Sequence, residues 1–349
     1  MNDLQMAVVG VGSLGQHHAR ILAGMNGVQL AGVVDPRPEH GRQIAQRYRT
    51  QWYADVQGLP HHLDGVVIAT PTMYHLEPAE YFLKAGVPTL VEKPLATSLK
   101  DANHLRKLAD THNTVLQVGH IERFNPAFEE ALSLCDDVKY LRCQRVSPYS
   151  FRSTDIGVVH DLMIHDIDLA LALIGELPES VEAFGAVTIG PHEDCAVARL
   201  RMPNSTIVDI TSSRMAPVSE RSMQIWSSRG CLNVDLQARI LTSWEPSAAV
   251  AANPGMIRTI AAATPDPLTL KDRVFGEWVE EKTIQASDRD ALTAELQEFV
   301  EVIHGKTRPR VGGREALDAM LVAGEVLKSL KHWSWQDSSS SDSSGKAAA

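Results

Sequence analysis

Cysteine is scarce in this sequence: Cys135, Cys143, Cys195 and Cys231 are the four among 349 residues, and no two form a Cys-x-x-Cys pair. That spacing excludes a zinc ribbon and supplies no disulfide framework, so a reducing, cytoplasmic setting is expected. Long apolar runs are missing too. No uninterrupted stretch approaches the roughly 18 residues of a membrane-spanning helix. The opening MNDLQMAVVGVGSLG lacks a positively charged segment followed by an apolar one, so neither membrane association nor secretion is expected. Positive charge is also in short supply. Acidic side chains outnumber basic ones 43 to 33, the net charge is −10, and no basic run suggests a nucleic-acid groove. Nucleic acid is therefore not an expected partner.

What is present is an ordinary globular composition, 44% hydrophobic and 22% charged. The chain is longer than one hydrophobic core usually supports, which points to two domains. From residue 4 to about 118, short strand-like runs (LQMAVVGVG, VQLAGVVD, GVVIAT, VPTLVE, TVLQVG) alternate with helical periodicity at Leu14 to Met25, Pro38 to Arg47, Leu76 to Ala85 and Leu99 to Thr111. That alternation predicts a doubly wound parallel sheet covered by helices, a Rossmann-type α/β domain over 1–120. Beyond it the rhythm changes. A helix at Pro126 to Cys135, a strand at Val138 to Val146 and the helix GVVHDLMIHDIDLA precede five closely spaced strands, VEAFGAVTI, DCAVARLRM, STIVDITSS, RSMQIWSS and CLNVDL. This pattern predicts an α+β domain over 121–333 with an open-faced, mostly antiparallel sheet, a Pro- and Ala-rich loop at about 246 to 267, and a final helical pair. Residues 334–349 are Ser-rich and of low complexity, and disorder is expected there.

The most informative short motif is VVGVGSLGQHHARI, in which Gly10, Gly12 and Gly15 have G-x-G-x-x-G spacing between a strand and a helix. In a dinucleotide site the first glycine makes the tight turn, the second admits the pyrophosphate and the third lets helix and strand approach. Ser13 and Leu14 lie in the same turn, where backbone N–H groups and the helix dipole would meet phosphate. Asp35 ends the second strand 20 residues after Gly15, the place of a carboxylate that binds ribose hydroxyls. NAD is the expected cofactor. NADP stays open, because Arg37 and Arg42 follow closely.

The helix GVVHDLMIHDIDLA combines an apolar stripe with several ionisable groups. Asp161, His165 and Asp168, spaced four and three apart, would share one side of an α-helix. A metal site, an acid/base site and a structural network are all readings of such a cluster. His160 and His165 are five apart and would diverge by about 140° on an α-helix, and the spacing is not that of H-E-x-x-H, so no metal is expected. Arg123 and Asn125 stand just beyond the last parallel strand, on the side where open α/β sheets bind ligands. Asn125 reads equally well as a helix cap before Pro126.

Taken together with the glycine motif, VIATPTMYHLEPAEYFLKAGVPTLVEKPLATS, QVGHIERFNPAF, the Asp-x-x-x-His helix and PRVGGREALDAMLVAGEVLKSL resemble the Gfo/Idh/MocA family of nicotinamide-dependent oxidoreductases up to about residue 330. The resemblance implies a Rossmann domain followed by an open-faced sheet domain with the nicotinamide at their junction. It implies that Glu92, Lys93 and Pro94 form the Glu-Lys-Pro motif whose lysine lies beside nicotinamide and carbinol, that Asp161 and His165 are the catalytic pair, and that Thr70, Pro71 and His75 line the cofactor. GHIERFNPAF with DIGVVHDLMIHDIDL further resembles the branch that oxidises the 3-hydroxyl of UDP-N-acetylglucosamine on the way to a 3-amino sugar, although His160 stands where an apolar residue is expected. Arg152 is then expected to join Arg123 and Lys93 at a diphosphate, with Asn125 and Asp161 also at the substrate.

The residues suit that chemistry. Removing hydride from a secondary alcohol requires the hydroxyl proton to leave, which calls for a base of near-neutral pKa, such as His165, and a cation such as Lys93 to steady the alkoxide. Oxidation of a free sugar or inositol, a non-catalytic NAD(P)-binding sensor, and a reductase of an imine or tetrapyrrole remain as alternatives. An open sheet face commonly needs a cover, so a homodimer or homotetramer is expected.

Overall fold

The computed structural model describes residues 3–151 and 156–330. Arg152 and the Ser-rich tail lie outside the described residues. The chain divides into two compact units, one of Met1–Phe124 with Arg289–Leu321, the other of Asn125–Asp288 with the chain from Val322 onward.

The first unit opens with β1 (Leu4–Val9), α1 (Gly15–Gly24), β2 (Val28–Val34), α2 (Pro38–Arg47), β3 (Trp52–Tyr53), β4 (Gly65–Ile68), α3 (Leu76–Lys84), β5 (Thr89–Glu92), α4 (Leu99–Thr111) and β6 (Leu116–Gly119). Its strands are all parallel, in the order β3-β2-β1-β4-β5-β6. That is the doubly wound dinucleotide-binding order. Every residue of β4, β5 and β6 is buried, as burial on both faces requires.

The second unit contains α5 (Pro126–Leu134), β7 (Val138–Val146), α6 (Ile164–Ile174), β8 (Ser180–Ala186), β9 (Cys195–Arg201), β10 (Ile207–Ser213), β11 (Glu220–Ser227), β12 (Gly230–Asp235), β13 (Ile240–Pro246), α7 (Ala248–Ala252), α8 (Met256–Ala263) and β14 (Val279–Gln285). Its eight strands run β14-β13-β12-β11-β7-β10-β9-β8. Only β7 with β10 is parallel; the other neighbours are antiparallel. Alternation marks one covered face: Ala196, Ala198 and Leu200 of β9 are buried while Val197 and Arg199 point away and are exposed. The α/β Rossmann unit and the mostly antiparallel second sheet are the architecture that the sequence pattern predicts.

The last two helices are α9 (Ala291–Ile303) and α10 (Gly313–Leu330). The expected second domain ran unbroken to 333, but residues 289–321 pack with the first unit. The cause lies in α9, which Asp290 caps by accepting from Thr293 N at 3.0 Å. Its Leu292, Leu296 and Phe299 recur on one face and join Met6, Val8, Leu22 and Leu90 in one core, each contributing about 1.5–3 kcal/mol on burial.

Two further expectations change. The predicted loop at about 246 to 267 holds α7 and α8, neither of which buries a residue; alanine's helix propensity acts there, and in α8 Met256, Ile257, Ile260 and Ala261 form a half-buried stripe only two turns long. The strands β13 and β14 were not anticipated. At the sheet edge, β14 carries Glu280, Glu281 and Lys282, which protects an edge and erases the period-two signal.

Candidate active site

Between β1 and α1 the glycine turn has the geometry a dinucleotide needs. Gly10 sits at φ +82°, and a Cβ there would come within 2.7 Å of Thr70 Cγ2. A Cβ on Gly15 would lie 1.8 Å from the Gly10 carbonyl oxygen. Both positions therefore demand glycine. Around Gly12 the space is open, the nearest atom to a Cβ being Arg37 Nη2 at 3.9 Å. No side chain caps α1, whereas Ser98, Asn125 and Asp290 cap α4, α5 and α9. The turn fits a bound pyrophosphate, with Ser13 and Leu14 exposed at its tip.

Asp35 is 2% exposed at the end of β2. Its carboxylate accepts from Arg37 Nε at 2.9 Å, Arg37 Nη2 at 2.9 Å, Arg37 N at 3.0 Å and Val11 N at 3.3 Å. Burial alone would raise this carboxyl, but the bonds from Arg37 and Val11 hold it below its ordinary value. Arg42 instead stacks on the Trp52 ring at 4.8 Å. Of the two arginines considered for a 2′-phosphate, Arg37 is thus the one at the carboxylate.

Thr70, Pro71 and His75 follow β4, and Pro71 leads into a 3-10 turn over Thr72–Tyr74. His75 is buried, with Nδ1 3.0 Å from the Pro94 carbonyl and Nε2 2.9 Å from the Thr70 carbonyl. Burial lowers its pKa, and a neutral imidazole donates to one of these carbonyls at a time. The ring thereby ties the Thr70 segment to the Glu-Lys-Pro segment. Glu92 turns inward: Oε1 lies 2.7 Å from His18 Nε2, and Oε2 accepts the Lys93 N–H at 3.3 Å. Lys93 itself is half-buried, as is Arg123 in the 3-10 turn Ile121–Phe124. The fold thus links the glycine turn, Thr70, His75, Pro94 and Glu92 through direct contacts.

In the second unit, the expected single helix from Gly157 is two pieces. A π turn, Val159–Met163, precedes α6. Such wide turns recur at functional sites. The loop before β9 braces its start: Glu193 Oε1 accepts Val159 N at 3.1 Å, and a Cβ on Gly157 would collide with the Glu193 carboxylate. His160, Asp161 and His165 are half-buried, whereas Asp168 is 1% exposed. Asp168 is therefore shut away from solvent, whereas Asp161 and His165 are not. No cluster suited to a metal ion occurs among the described residues. Asn125 caps α5, its Oδ1 accepting Ala127 N at 3.1 Å while Nδ2 donates to Leu236 O at 2.9 Å.

Four groups escaped sequence reasoning. His18 is wholly buried on α1 beside Ala19 and Leu22, a polar residue in an apolar stripe. Glu295 is likewise buried among the apolar positions of α9. Arg145 of β7 grips Asp166 of α6 through Nε at 3.1–3.2 Å and Nη2 at 2.8 Å. Asp194 accepts Thr188 N and Ile189 N at 2.6 Å and Arg214 Nε at 2.7 Å, which fixes the loop carrying Glu193.

A doubly wound sheet with this glycine turn defines a dinucleotide-binding protein of the Rossmann type. Residues 4–120 match the family model described as "Oxidoreductase family, NAD-binding Rossmann fold", and residues 138–233 match that of the GFO/IDH/MocA C-terminal domain. The chain is 32% identical over 326 residues to UDP-N-acetylglucosamine 3-dehydrogenase of Acidithiobacillus ferrooxidans, covering 92% of this chain and 96% of that protein. It is 26% identical to inositol 2-dehydrogenase of Rhizobium meliloti, covering 94% and 97%. The solved structure of the Acidithiobacillus ferrooxidans enzyme superimposes with a TM-score of 0.83 at 30% identity, covering 95% of this chain and 99% of that one. The chain belongs to the Gfo/Idh/MocA family. No described helix is long and apolar enough to cross a membrane.

Proposed function

We propose that this protein is a dehydrogenase that oxidises a secondary hydroxyl of a sugar, the 3-hydroxyl of UDP-N-acetylglucosamine, with NAD. Supporting the substrate is the near full-length likeness to an enzyme named for that reaction. The observation that carries the cofactor is the glycine turn, open at Gly12 and closed by contact at Gly10 and Gly15, with Asp35 at the end of the next strand.

NAD, when bound, accepts the hydride. The chain supplies binding and proton handling. In this reading Ser13, Leu14 and the backbone around Gly12 hold the pyrophosphate, Asp35 the ribose hydroxyls, and Thr70 and Pro71 the segment beside the cofactor. Glu92 acts from behind by fixing the Lys93 backbone, and His75 by joining the two loops. Lys93 holds the substrate oxygen and offsets the developing alkoxide charge. His165 takes the hydroxyl proton, with Asp161 raising its basicity. Arg123, Asn125 and Arg152 complete the substrate contacts in this reading, Arg123 and Arg152 through the diphosphate. An exposed sheet face bearing Val197 and Trp226 supports assembly as a homo-oligomer, which light scattering reads directly.

The test is NADH formation by the purified protein offered UDP-N-acetylglucosamine, N-acetylglucosamine or myo-inositol. Turnover restricted to the nucleotide sugar is expected. Turnover on inositol or free sugar alone overturns the substrate, and full turnover by Lys93→Ala overturns the role of the lysine.

A further inference from the structure

The first unit buries an acid that the cofactor turn and the proton chemistry leave unused. Glu295 is fully buried on α9, and neither of its carboxylate oxygens has a hydrogen-bond partner among the described residues. It lies behind the sheet: Gln117 Nε2 donates to the Glu295 carbonyl at 3.4 Å, and Gln117 pairs with Leu90, two residues before Glu92. Glu92 and Glu298, the acids whose charges act on it, hold cations of their own. His18 Nε2 is 2.7 Å from Glu92 Oε1, and Arg310 Nε is 2.7 Å from Glu298 Oε2. The 3-10 turn packed on α9 adds Glu122 and Arg123, with His120 just before it. An ionised carboxylate without a partner in such an interior is among the costliest arrangements a fold can hold.

We propose that Glu295 is a positioning residue that keeps its proton at neutral pH, so that the Glu92–His18 pair alone sets the charge on which the Lys93 backbone rests. Burial acts first to push this carboxyl well above its ordinary 4.5, and the charges of Glu92 and Glu298 add to it. The folded state then binds a proton that the unfolded chain releases. Stability is full below about pH 4.5 and falls as pH rises towards the folded value. Loss of that proton places a second negative charge behind Lys93, which favours the cationic nicotinamide of NAD over NADH. This last consequence rests on the proposed place of Lys93 beside the nicotinamide; the protonation does not.

The experiment is an infrared titration of the full chain against E295Q, with melting temperature followed over about pH 5 to 8. A protonated carboxylic acid band is expected at neutral pH in the native protein and lost in E295Q, whose melting temperature declines less as pH rises. The NADH-to-NAD affinity ratio of the native protein falls with rising pH, and that of E295Q is flatter. Absence of the band, or an E295Q pH slope equal to the native one, overturns the proposal. So does failure of both E295Q and E295M to fold, because a neutral acid without partners tolerates its amide or an apolar chain of similar length. A band that behaves as expected with an unchanged affinity profile overturns the coupling to Lys93 alone.

Discussion

Asp166→Asn strikes the brace of the histidine helix without touching His165 or Asp161. The Asp166 and Arg145 side chains are 1% and 4% exposed and meet through contacts of 2.8–3.2 Å. Removing the charge of one member leaves the Arg145 guanidinium buried opposite a neutral amide. Breaking such a pair costs about 3–5 kcal/mol. At about 2–4 °C per kcal/mol for a domain of this size, the melting temperature falls by roughly 6–20 °C. Differential scanning calorimetry at pH 7 measures the drop. Because Asp166 adjoins His165, kcat falls with it, while NAD affinity, set in the first unit, stays put. Replacing both partners, Arg145→Met with Asp166→Leu, recovers most of the stability, since no charge remains to be desolvated. A double variant as unstable as Asp166→Asn would refute the reasoning, and so would a single variant that melts like the native protein.

Gly15→Ala puts a methyl group 1.8 Å from the Gly10 carbonyl oxygen, so the turn has to open; NAD affinity by fluorescence titration is expected to fall at least about tenfold, or ~1.4 kcal/mol. Asp35→Ser releases Arg37 from its bidentate hold, and the NADP-to-NAD affinity ratio is expected to rise by roughly tenfold; an unchanged ratio places the 2′-position elsewhere. Acid stability reports on Asp194. Burial would raise its carboxyl, yet bonds from Ile189, Arg214, Thr188 and Gly190 hold it below its ordinary 3.8. Its contribution is thus present above about pH 3.8 and lost as pH falls further; melting curves of Asp194→Asn are expected to lose part of the native acid slope, and identical slopes would contradict this.

The parallel sheet was legible because strands such as β1 and β4 are nearly continuous in apolar residues, and the glycine turn because sterics at Gly10 and Gly15 permit no other residue. Periodicity also placed α2 and α4, whose observed bounds match the predicted ones. The π turn was hidden, since Val159–Met163 differs from an α-helix in hydrogen bonding and not in composition. It changes the register of Asp161 against His165, whereas His165 and Asp168 both lie in the regular helix α6 and differ in burial. Ion pairs such as Arg145–Asp166 and Arg214–Asp194 join residues about 20 apart in sequence, and no local pattern announces a partner at that distance. Glu295 carries no signal of its burial, since glutamate on a helix is ordinarily solvated.

The return of residues 289–321 to the first unit bears on how the protein is made. During synthesis the strands β1 to β6 emerge early, but Leu292, Leu296 and Phe299, which pack with Met6, Val8 and Leu90, are translated only after residues 125–288 of the second unit. For most of its time on the ribosome the nascent parallel sheet has one greasy side covered only in part, by α1 and α2. A gene fragment ending at Phe124 encodes that same half-dressed sheet. A fragment rejoining 1–124 to 289–321 encodes the complete fold, and it is the shorter chain to express when the dinucleotide half is wanted alone.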